Sequence, residues 1–219
     1  MVTATGPKTA DEWERWWAPY DEPTYQAVLD HIQPDDVVLE IGAGDLRLAY
    51  RLARQARLVY AIEINSRLVY AIEINSALAS IDPRYQPVDN FQEIGQSNGQ
   101  AQVNNLRLVW ADAYQQPFPS GITVGVLLMR HCRHFRLLAD KLVVAGARRL
   151  ITNARWGLGV ELIDLLAPRA SYASVHFGWY ACWCGAWGFV SGPPEELTPE
   201  LEAKIHEVVD CPACLLSSS

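Results

Sequence analysis

With 219 residues, half of them apolar and a fifth charged, the chain is long enough to bury one full core and carry a small appendage. Its net charge of -7 weighs against broad electrostatic capture of nucleic acid, which needs a positive face, although Arg130, Arg133 and Arg136 lie close together. No apolar run reaches the roughly 18–20 residues that span a bilayer, and residues 1–11 lack the basic start and apolar stretch of a secretion signal, so a cytosolic protein is expected.

Residues 1–34 are crowded with aromatics (Trp13, Trp16, Trp17, Tyr20 and Tyr25) and read as a helical lid. Pro23 divides it into two short helices. A core over 35–170 opens with a buried strand, Val37-Val38-Leu39-Glu40-Ile41, which ends at a Gly42-Ala43-Gly44 turn. Helical spacing follows over 46–56, then strand formers over 58–62, completing a parallel βαβ unit. At that point RLVYAIEINS (57–66) is repeated letter for letter at 67–76. Solenoid repeats run to roughly 20–50 residues and drift in sequence, so this single copy reads as a tandem duplication with no functional message. Both copies cannot occupy one central strand.

Residues 82–105 are polar and turn-rich. Strands are predicted over 106–111, 124–129 and 149–153, with a helix over 135–144 that stops near Gly146 and another over 158–166. The segment 171–219 is predicted to hold a closing antiparallel hairpin (172–190), a helix over 195–209 and a cysteine-rich tail. Strands alternating with helices give an α/β class: an open, mostly parallel Rossmann-like sheet with helices on both faces.

In such sheets ligands sit beyond the C-terminal ends of the strands, where Gly42 and Gly44 fall. Glycine lets backbone approach a ligand with no Cβ in the way, and Glu63, after the second strand, can accept two ribose hydroxyls. A dinucleotide fingerprint is disfavoured because Arg47 stands at its third glycine, and no phosphate loop of the Gly-x4-Gly-Lys kind is present.

The run V-V-L-E-I-G-A-G-D-L resembles motif I of class I S-adenosylmethionine-dependent methyltransferases, and the likeness extends in order from Val37 to Trp156. The resemblance implies S-adenosyl-L-methionine as cofactor. Glu40 would position its methionine end, Gly42, Ala43 and Gly44 would pass beneath its adenosine, and Glu63 would take the ribose. Glu73 is the duplicate of Glu63; the first copy is favoured because it keeps the preceding helix at normal length. Val109-Trp110-Ala111-Asp112-Ala113, before Pro117-Phe118-Pro119, resembles the segment whose aspartate bonds the adenine amino group, which gives Asp112 that role with Ala113 beside it. Leu46 departs from the third glycine of the family loop. Tyr20 or Tyr25 would touch the methionine moiety, against a plain core role for such aromatics.

Methyl transfer needs the acceptor positioned and, for some acceptors, deprotonated. Arg130-His131-Cys132-Arg133-His134-Phe135 follows the fourth strand, where the family places residues facing the methyl group; His131 and His134 are the candidate bases. The segment is not the Asp/Asn-Pro-Pro-Tyr/Phe signature of nitrogen methylation, although Ile62-Glu63-Ile64 resembles ribosomal RNA adenine dimethylases. The expected acceptor is a small molecule or a protein side chain, with nucleic acid disfavoured; a silent methyltransferase-like binding or scaffold protein is the alternative.

Cys182-Trp183-Cys184 and Cys211-Pro212-Ala213-Cys214 form two close pairs. Four thiolates would close a tetrahedral structural zinc site and pin the tail to the hairpin. A redox pair at Cys211 and Cys214, or thiols that never meet, are the competing readings, and Cys132 reads as a small buried apolar residue.

Overall fold

The computed structural model describes residues 20–65, 105–130, 132–155, 157 and 159–216. Six strands form its main sheet: β1 (Val37–Ile41), β2 (Leu58–Glu63), β3 (Leu106–Trp110), β4 (Val124–Leu127), β5 (Arg149–Thr152) and β6 (Glu161–Asp164). Their order is β3-β2-β1-β4-β5-β6, with the first five parallel and β6 antiparallel against β5. The near-continuous apolar runs of β1, β2 and β4 arise because both faces are covered.

Alternate residues serve opposite faces. Val38, Val59, Ala61, Leu108, Val126 and Ile151 pack with α1 (Glu22–Leu29) and α2 (Arg47–Ala53) on one side. Leu39, Ile41, Ile62, Val109, Leu127 and Leu150 pack with α3 (Phe135–Ala145) on the other. Pro23 stands in the first turn of α1, where its missing N–H costs nothing, and Asp21 caps that turn by accepting from the Thr24 N–H at 3.1 Å. The first of the two expected N-terminal helices lies outside the described residues. As predicted, α3 stops at Gly146.

The first copy of the duplicated segment supplies β2, wedged between β1 and β3. The second copy, Glu73 included, lies outside the described residues.

Two expectations fail. The helix predicted over 158–166 is instead the edge strand β6. Glu161, Ile163 and Leu165 turn inward while Leu162 and Leu166 are exposed, a period of two that an inward glutamate disguises in the sequence. That glutamate is tolerated because Arg155 meets it. The helix predicted over 195–209 breaks into a 3-10 turn (Pro194–Glu196), a short α4 (Pro199–Ala203) capped by Thr198, and β9 (Ile205–Val208). Pro199 lacks the N–H that would continue a helix from the turn, so a new one starts there.

The expected hairpin forms as β7 (Gly178–Cys182) and β8 (Trp187–Val190), but within a second sheet of order β8-β7-β9 rather than on the main one. Docking of this sheet centres on Arg155, which is 1% exposed. Its guanidinium donates to Glu161 of β6 at 2.7 Å and to Glu207 of β9 at 2.7 and 3.0 Å. Trp183 stands edge-on to Phe135 of α3 and donates its indole N–H to Asp140 at 2.9 Å. The tail ends in α5 (Pro212–Leu216).

Candidate cofactor and metal sites

The chain builds outward from β1 through β2 to β3, then returns to β4 on the other side of β1, so its direction reverses between β1 and β4. Ligand crevices in open sheets form at such a reversal, beyond the strand ends. The turn 42–46 lies there. Gly42 (φ +75°) and Gly44 (φ +57°) both adopt the left-handed region, and a Cβ on Gly42 would stand 3.5 Å from Met129 beyond β4. The Gly42 and Ala43 N–H groups donate to the Ile62 carbonyl at 2.9 and 3.0 Å, binding the turn to β2. Leu46 takes a glycine-like φ of +63° and is fully buried.

Glu63 faces this turn. One carboxylate oxygen accepts from the Gly44 N–H at 2.8 Å, the other from the Asn65 N–H at 2.7 Å. A carboxylate has about four acceptor positions, so room for two hydroxyl donors remains. Glu40, on β1 between Ala61 and Val126, is 5% exposed. Its Oε2 is enclosed and has no hydrogen-bond partner among the described residues. Burial, and then the nearby Asp45 and Glu63 carboxylates, push its carboxyl up to about 8. A cationic group placed there would restore the charge.

Tyr20 reaches the end of β4, its hydroxyl donating to the Leu128 carbonyl at 3.2 Å, while Tyr25 is buried in the core beneath it. Asp112 lies past the end of β3, half-buried, accepting from the Tyr114 N–H at 2.9 Å and the Gln115 amide at 2.7 Å. The neighbouring Ala113 turns its carbonyl to Lys141 of α3. Trp110 is exposed and donates to the Ile64 carbonyl at 3.2 Å. His134 occupies the N-cap of α3, exposed, with its ring 4.7 Å from that of Tyr114 and no capping bond from its side chain. His131 lies outside the described residues. The sequence reading passed over Asn153, directly after β5, whose amide oxygen and nitrogen are both buried without a partner among the described residues. The signal was available, since Asn153 is a polar residue at a parallel strand end, as Glu40 and Glu63 are. A larger cavity, about 510 Å³, lies at the opposite end of the strands against Val37, Leu58 and Arg107 and touches none of these groups.

The four C-terminal cysteines meet, and their sulfurs lie within 4.8 Å of one another. Cys182–Cys214, Cys184–Cys211 and Cys211–Cys214 are separated by 3.6, 3.7 and 3.7 Å. Zinc–sulfur bonds of about 2.3 Å in a tetrahedron place sulfurs about 3.8 Å apart, so the cluster can hold a zinc ion. A disulfide needs about 2.05 Å, and none of the five cysteines is in one. Burial pushes the Cys184 thiol up to about 11 and that of Cys182 higher still. A divalent cation supplies the charge that draws such protons off. Gly185 closes the tight turn at φ +96°, and a Cβ there would stand 2.9 Å from Phe135, so the turn and the seating of the sheet both require glycine. Cys132 is buried and apart, as expected.

No family model matches the chain, and no curated protein matches it. Solved structures do. The chain is similar to a dimethyladenosine transferase from Plasmodium falciparum at 20% identity, covering 60% of this chain and 41% of that one, with a TM-score of 0.43. It is similar to the 23S rRNA methyltransferase ErmE at 20% identity, covering 61% and 46%, with a TM-score of 0.43. An RNA methyltransferase from Salinibacter ruber in complex with S-adenosyl-L-homocysteine matches at 17% identity, covering 62% and 76%, with a TM-score of 0.43. The chain thus spans less than half the length of the first two. The solved structures it matches include many class I S-adenosylmethionine-dependent methyltransferases, and its own sheet is Rossmann-like and mostly parallel.

Proposed function

We propose that the protein binds S-adenosyl-L-methionine at the crest of β1, β2 and β3 and transfers its methyl group to a small-molecule or protein acceptor. The observation that carries this reading is the buried, unpartnered Oε2 of Glu40 beside the Gly42–Gly44 turn and the inward-facing Glu63. A fold retains such a carboxylate at a cost unless a ligand uses it. In this reading Glu40 holds the ammonium of the methionine end, Glu63 takes the ribose hydroxyls, and Asp112 takes the adenine amino group with Ala113 at its side. Tyr20, fixed to Leu128, borders the methionine moiety. The cofactor supplies an electrophilic methyl on sulfur; the protein supplies position and, for an acceptor bearing a proton, a base. His134 is the described candidate for that base, and His131, three positions earlier in the sequence, is the other. The cysteine cluster, holding zinc, anchors the small sheet and takes no part in the chemistry.

The test is calorimetry of the full chain with S-adenosylmethionine and S-adenosylhomocysteine. Binding below about 100 μM is expected, abolished by Glu40→Ala; no binding by either compound at about 1 mM would overturn the proposal. Binding of both without turnover on any acceptor would instead favour a silent binding protein.

A further inference from the structure

Past the ends of β4 and β5 a cavity of about 280 Å³ is lined by Thr24, Arg130, Asn153, Gly157, Gly159 and Val160. Its wall is unusual in what it leaves unmet. Asn153 is 5% exposed, and both its amide oxygen and its amide nitrogen lack a hydrogen-bond partner among the described residues. Each unmet group costs about 1–3 kcal/mol, and a leucine of similar size would cost neither. The fold therefore gains nothing from this amide, while a ligand offering one donor and one acceptor would satisfy it fully.

Arg130 brings the charge. It is exposed, and its guanidinium lies 5.2 Å from the Tyr20 ring centroid, a cation–π contact that holds the fork in place. A guanidinium in this setting takes a carboxylate through two parallel hydrogen bonds. The remaining wall is thin. Gly157 (φ +105°) lies under Trp187 of β8, where a Cβ would meet the indole at 2.2 Å, and Gly159 (φ +72°) adds no side chain. The volume falls at the small end of ligand pockets, which suits a metabolite of modest size.

We infer that this cavity binds a small anionic molecule, its carboxylate on Arg130 and an amide or amide-like edge on Asn153. Resting on the methyltransferase reading, the same molecule is the methyl acceptor, since Arg130 of its wall lies against Tyr20. A nucleophilic atom outside the two anchored groups bonds to the methyl carbon as the carbon–sulfur bond breaks, S-adenosylhomocysteine leaves, and the proton that atom carried passes to His134 or to solvent.

The probes are succinamate, which carries one carboxylate and one amide, and its neutral and doubly charged relatives succinamide and succinate. Titrations use the full chain with and without S-adenosylhomocysteine. Succinamate is expected to bind below about 10 mM and at least tenfold tighter than either relative. Asn153→Leu should raise the melting temperature and weaken succinamate at least tenfold. Arg130→Gln, at an exposed position that does not bear on folding, should abolish the preference for succinamate over succinamide. Unchanged succinamate affinity in either variant overturns the inference, as does a lower melting temperature for Asn153→Leu with binding intact. Succinamate binding without S-adenosylhomocysteine binding overturns the methyltransferase reading and leaves the pocket standing; the reverse result overturns the pocket alone.

Discussion

Glu40→Gln isolates the cost of enclosing a carboxylate. Its surroundings raise the carboxyl from 4.5 to about 8. Between those values the folded chain holds a proton that the unfolded chain has lost, so stability falls as pH rises from 4.5 and levels off above 8. Each pH unit across that window costs about 1.4 kcal/mol. The accumulated penalty is about 1 kcal/mol at pH 5, about 3 kcal/mol at pH 7 and nearly 5 kcal/mol by about pH 9. Glutamine cannot ionise, so whatever its amide costs in packing is the same at every pH. Urea denaturation of both proteins at pH 5 and pH 9 reads the difference directly. The variant should gain about 4 kcal/mol on the wild type across that interval. A gap that stays flat, or narrows toward pH 9, would refute burial as the source of the raised carboxyl.

Three further outcomes are expected. Purified protein should carry one zinc ion per chain by elemental analysis, and Cys211→Ser combined with Cys214→Ser should lose it and expose the small sheet to protease; a metal-free, well-folded wild type would dismiss the site. Arg155→Met strands the carboxylates of Glu161 and Glu207 and should cost about 3–5 kcal/mol in urea denaturation, recovered largely when both glutamates are also replaced by leucine. Glu63→Ala should weaken S-adenosylmethionine by at least tenfold in calorimetry while Glu73→Ala leaves it unchanged, and the opposite pattern would move the ribose role to the second copy.

The main sheet was legible where burial and periodicity agree. The apolar runs of β1, β2 and β4 and the spacing of α3 each carry one dominant pattern, and turns such as Gly42-Ala43-Gly44 and Gly146 punctuate them. Glu40, Glu63 and the cysteine quartet were legible by position and spacing, and the structure brings each group together. What escaped was tertiary. An inward Glu161 makes sense only once Arg155 faces it, and β9 forms because Glu207 joins the same guanidinium, a meeting of residues 52 positions apart that local pattern cannot show. Asn153 could have been marked by its place at a parallel strand end, but only its enclosure shows that its amide has no partner among the described residues.

Leu46 carries a consequence for the loop it ends. A left-handed backbone costs a leucine about 1–2 kcal/mol, yet withdrawing that side chain from the core costs about 1.5–3 kcal/mol. The hydrophobic effect therefore latches the turn shut from beneath, with no help from a ligand. The Gly42, Ala43 and Gly44 N–H groups are held on the Ile62 carbonyl and the Glu63 carboxylate, so the turn keeps its shape through its own bonds. On the proposed function, the same latch ties cofactor binding to packing: a substitution that loosens the neighbours of Leu46 should weaken S-adenosylmethionine in calorimetry.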